Sequence, residues 1–139
     1  MEILAPYSHA AVSLALYALI ALLLAPLAGI ARDRAGVTPG QRPPADYARK
    51  GYRISRAHAN AAENAGIFAA VIAAAVLTGA APFWVNLFAS LAVLARVVMV
   101  WVHVQGIGSA NMGPRSFAYV FGWLMMLLIA IMAVFAGFA

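Results

Sequence analysis

The sequence contains no cysteine, which excludes disulfides and thiolate metal ligands, so any thiol chemistry must use a thiol carried by a substrate. Charge is nearly as scarce. Only 9% of the 139 residues are Asp, Glu, Lys or Arg, against about 25% in ordinary soluble domains. With 65% hydrophobic residues and a mean hydropathy of +0.91, the composition is that of an integral membrane protein. The three histidines, His9, His58 and His103, have no histidine three or four residues away, so no metal site is expected. Periodic repeats are absent from the sequence, and it contains no stretch that reads as a separate soluble domain.

Long apolar runs make up most of the chain. A helical span needs about 20 apolar residues, and four such runs fit, at about 9–30, 54–77, 83–104 and 115–138. The expected architecture is an all-α integral membrane domain covering residues 1–139, a bundle of four transmembrane helices. Pro26 near the end of the first span is a kink or fraying point. The connection at 31–52, rich in Pro, Gly and charge, is long enough to carry a short helix or to cover a site. The alanine-rich run AAVIAAAV predicts that the second helix sits inside the bundle, because small residues let helices approach closely. The short TGAAP turn returns the third span antiparallel. Trp84 and Trp101, near its two ends, suit the two interfaces, and Pro114 suits the first residue of the fourth helix.

The formal charge of +5 is unevenly spread, with seven of the nine Lys and Arg residues between positions 32 and 56. Clustered beside spans, they fit membrane topology rather than nucleic-acid binding. The inside-positive rule assigns the loop to the cytoplasm and the N-terminus to the other side.

The polar residues inside the spans carry the functional signal. Arg53, Arg56, Asn60 and Glu63 follow one another at steps of three, four and three, which places them on one helical face. A row of ionisable groups entering a span is costly in hydrocarbon and marks a buried, paired site. Glu63 and Arg96 are expected at matched depth, about 12 to 15 Å from the loop end. Their charges are opposite. A buried ion pair that only aligns helices accounts for them equally well. His103 lies two turns beyond Arg96, while Arg115, Ser116 and Tyr119 open the fourth helix on the same membrane side. Taken singly, a histidine near a helix end and an arginine at a span's start are ordinary interfacial residues. Together they form a cationic pocket suited to an anionic or zwitterionic ligand such as a small peptide, with guanidinium groups holding carboxylates.

The string Arg56-Ala57-His58-Ala59-Asn60-Ala61-Ala62-Glu63, followed by Asn64 and Phe68, resembles the helix-two signature R-A-x-x-N-x-x-E of the MAPEG family, the membrane-associated proteins of eicosanoid and glutathione metabolism. Arg96 and the string Pro114-Arg115-Ser116-Phe117-Ala118-Tyr119 resemble family positions as well. The resemblance covers nearly the whole chain and points to a bacterial-type member similar to microsomal glutathione transferases, in a bacterial inner membrane.

It implies a homotrimer with glutathione as co-substrate, bound between subunits on the cytoplasmic side, and a lipophilic small molecule arriving through the bilayer. Arg56, Asn60 and Glu63 would then hold the tripeptide, with Arg53 as an additional carboxylate contact and Arg96 nearby. Arg115 would stabilise the thiolate as the catalytic residue, next to Tyr119. Eicosanoid-synthesising members carry tyrosines late in helix three, where Met99 and His103 stand here. His103 takes the place of a tyrosine as hydrogen-bond donor to the ligand. The competing reading is a non-catalytic membrane protein whose buried polar cluster sets helix packing and oligomerisation.

Overall fold

A computed structural model describes residues 4–38, 40–109 and 111–139. After a 3-10 turn at Ala5–Tyr7 come four helices: α1 (Ser8–Arg34), α2 (Lys50–Leu77), α3 (Pro82–Gln105) and α4 (Pro114–Gly137). Each is long and apolar enough to cross a membrane, and the chain is an all-helical, multi-pass integral membrane protein. α1 packs chiefly against α2, and α3 against α4.

The helix ends follow local chemistry. At the end of α2 the Ala80 amide donates to Ala75 and the Gly79 amide to Val76, the paired bonds of a Schellman motif, with Gly79 at φ 70°. The Tyr7 hydroxyl donates to the Ala80 carbonyl at 2.5 Å, and the Asn86 amide donates to Pro6 at 2.7 Å. These bonds fasten the N-terminal turn to the α2–α3 turn. α3 ends in a second Schellman motif, in which the Ile107 amide reaches Val102 and the Gly106 amide reaches His103.

Pro26 does not end the first helix, which continues to Arg34. Its ring lies on an exposed face, so the cost is the one backbone hydrogen bond that proline cannot donate.

The core is built from interlocked large and small side chains. Tyr17, Phe68, Val85 and Ile129 are its largest fully buried members, and the Tyr17 and Phe68 rings lie 5.0 Å apart. α3 and α4 approach closely because Gly122 has no side chain: a Cβ there would stand 3.2 Å from that of Ala95. α2 is less enclosed than its alanine run suggests. Ala62, Gly66, Ala70 and Ala73 are exposed along one side of it, and Glu63 lies on the same side.

Candidate functional site

The polar residues gather at the end of the bundle that carries the long loop. A cavity of about 260 Å³ there is lined by Arg56, Ala57 and Asn60 from α2, Met99 and His103 from α3, and Arg115, Ser116, Tyr119 and Val120 from α4. A second cavity of about 370 Å³, also lined by Arg56, His103 and Arg115, extends toward the loop through Ala45, Tyr47 and Tyr52.

The hydrogen-bond chemistry fixes how several side chains are presented. Arg96 is 4% exposed and donates to the Asn60 side-chain oxygen. Because a guanidinium can only donate, the atom facing it must be Oδ1, which leaves the Asn60 amide nitrogen as a donor for a ligand. Arg96 lies over the rings of Tyr17 and Tyr119, at 5.0 and 5.9 Å. The Arg115 guanidinium approaches His103 Nδ1 at 3.3 Å. With the guanidinium as donor, Nδ1 is the acceptor and the ring hydrogen is assigned to Nε2, which can then donate to a ligand.

Three of the expected site residues, Arg53, Glu63 and Arg96, line neither cavity, and Arg96 reaches the site only through its bond to Asn60. The Nε of Arg53 donates to the Val104 carbonyl at 3.2 Å and its Nη1 to Tyr47 and Ala48 at 2.8 Å each. It ties the loop to the end of α3. Glu63 is exposed on the outer side of α2, and the matched pair with Arg96 does not form. The physical reason is rotation about α2. Glu63 lies three residues past Asn60, which leaves it about 60° short of a full turn, enough to carry it from the edge of the shared face to the side that α3 does not meet. An ion pair does form between Arg49 and Asp46, at the loop.

Tyr47 is the residue that sequence reasoning missed. The loop carries no helix among its described residues, and it covers the site. The Tyr47 ring stands 5.5 Å from that of His103 and 5.2 and 5.9 Å from the Arg115 and Arg53 guanidinium carbons. Its hydroxyl is buried without a hydrogen-bond partner among the described residues. The available signal was an aromatic residue five positions before Tyr52 in an otherwise Pro-, Gly- and charge-rich connection.

Gly106 makes this arrangement possible. Its φ of 70° disfavours any side chain, and a Cβ would lie 2.9 Å from the Arg53 guanidinium carbon. Gly106→Ala is therefore expected to lower stability by about 1–2 kcal/mol and to loosen the loop. A lower unfolding midpoint together with faster proteolysis within residues 35–49 would confirm this, and an unchanged midpoint would refute it.

A bundle of four membrane-spanning helices with a cationic cavity at one end defines the class. The chain belongs to the MAPEG family, whose model matches residues 10–135. No curated protein matches it. Among the described residues no cluster of three or more His, Cys, Asp or Glu side chains is placed to hold a metal.

Proposed function

We propose that this protein is a membrane-bound glutathione transferase or peroxidase that binds glutathione in the Arg56–Asn60–Arg115 cavity, ionises its thiol and joins it to an apolar electrophile. The observation that carries this reading is the one-sided chemistry of the lining. Arg56, Arg115, the Asn60 amide and His103 Nε2–H are all donors, the Ser116 and Tyr119 hydroxyls can donate as well, and no carboxylate is among the lining residues. Such a site favours an anion. A guanidinium next to a thiol stabilises the ionised form and so supplies the nucleophile near neutral pH.

In conjugation the thiolate sulfur forms a bond to an electrophilic carbon, and the leaving group departs with the bonding pair. In peroxide reduction two thiols and a hydroperoxide give a disulfide, an alcohol and water. Arg115 serves as the catalytic residue in both, acting by electrostatic stabilisation and positioning. Arg56, Asn60 and Tyr119 hold the tripeptide, and His103 donates to it. Tyr47 closes the outer side, its buried hydroxyl available to the ligand. Arg53 and Arg96 act as positioning residues.

The homotrimer belongs to the same proposal. A carboxylate facing lipid is unfavourable, and Glu63 sits beside the exposed small-residue row Ala62, Gly66, Ala70 and Ala73, a surface suited to close helix contact. An adjoining copy packed there would cover Glu63 and allow it to receive the ammonium group of a bound tripeptide. The basic loop, on this reading, faces the cytoplasm of a bacterial inner membrane.

Reduced glutathione at saturation is expected to stabilise the detergent-solubilised protein by about 3 kcal/mol, seen as a raised thermal midpoint. S-alkyl analogues, which cannot ionise at sulfur, are expected to give a smaller rise. If neither compound moves the midpoint, glutathione is not the ligand.

A further inference from the structure

A further cleft, of about 620 Å³, lies between the loop ends of α1 and α2, and it shares only Tyr52 with the two cavities of the glutathione site. Its chemistry changes with depth. Leu27, Ile30 and Ile54 line the part further into the bilayer, and Arg34, Arg49 and Lys50 line the outer part. Leu27 lies seven residues before Arg34 in α1, about 10 Å deeper along the helix. Leu27 and Ile30 are each 50% exposed, so they present an apolar wall rather than forming core.

We propose that this cleft binds one anionic phospholipid, with its phosphate between Arg34 and Lys50 and the first part of an acyl chain against Leu27, Ile30 and Ile54. Asp46 also lines the cleft, but it is paired with Arg49 at 2.9 Å, so that carboxylate is already compensated and two cations remain for the headgroup. Basic pockets between transmembrane helices at the membrane surface recognise anionic headgroups in this manner. The order of groups also matches a lipid in place: charge at the level of the loop, hydrocarbon one to two helical turns below. The site does not depend on glutathione binding, and it gives the basic loop a role beyond topology.

The test uses the full chain in detergent and native mass spectrometry, with dioleoylphosphatidylglycerol or dioleoylphosphatidylcholine offered at equal concentration. The wild type is expected to retain one phosphatidylglycerol per chain in preference to phosphatidylcholine. Arg34→Gln and Lys50→Gln should each weaken that retention about fivefold, and together about 30-fold, with an unchanged unfolding midpoint in phosphatidylcholine. Equal retention by the double variant would overturn the proposal, as would equal retention of the two lipids. Effective competition by inorganic phosphate would also overturn it, by showing a free-anion site. Should the double variant fail to fold, salt decides on the wild type. Raising ionic strength from about 50 to about 500 mM should weaken phosphatidylglycerol retention and leave phosphatidylcholine unaffected, and salt-independent retention of phosphatidylglycerol would refute the site.

Discussion

Replacement of Arg115 by Ala is expected to abolish the ultraviolet absorbance of bound thiolate and to lower conjugation by about 10²- to 10³-fold, the usual cost of removing one preorganised electrostatic stabiliser. The guanidinium lies in the cavity at the start of α4, held between the Tyr47 ring and His103 Nδ1. Little of the loss should appear as misfolding, since Arg115 is only half-buried and sits in the first turn of its helix. Tyr47→Phe is the matched control, because it keeps the ring against the guanidinium and removes only the hydroxyl. It should retain the thiolate signal. A full thiolate signal in Arg115→Ala would show that another group ionises the thiol.

Replacing Arg96 by Met is expected to raise thermal stability, by about 1–3 kcal/mol, while weakening glutathione binding about tenfold. Arg96 is almost completely buried in a membrane-spanning helix, and among the described residues no carboxylate pairs with it. Contacts with the Tyr17 and Tyr119 rings and with Asn60 only partly offset the cost of keeping a cation there. Met fills similar space without that cost. The loss of affinity follows from Asn60, which would be free to turn its oxygen toward an anionic ligand once its donor partner is gone.

This variant separates the two readings of the polar cluster. If the cluster exists to set helix packing, Arg96→Met should melt at a markedly lower temperature and lose its oligomeric state. If the cluster exists to hold a ligand, stability should be kept or improved and binding should suffer.

The four helices were legible in the sequence because hydrocarbon leaves a span little choice. A run of about 20 apolar residues must satisfy its backbone internally, and a helix does so locally. Local signals at the helix ends, the TGAAP turn after α2 and Pro114 at the start of α4, were legible too. Pro26 was read as a kink or fraying point, and its effect depends on where its ring points. On an exposed face the helix runs past it.

The spacing of Arg56, Asn60, Arg96, His103, Arg115 and Tyr119 was enough to gather them at one end of the bundle, since depth in a membrane helix is simply residue count times rise. What spacing does not contain is the rotation of each helix against its neighbours. Only the packed structure decided that Asn60 and not Glu63 meets Arg96, that Arg53 is occupied by three backbone carbonyls, and that Tyr47 in the loop covers Arg115. Those outcomes depend on contacts between segments dozens of residues apart, where a turn of a few tens of degrees exchanges one side chain for another. The sequence by itself determined the spans and the level at which charge enters them. The tertiary structure determined which of those charges share a cavity.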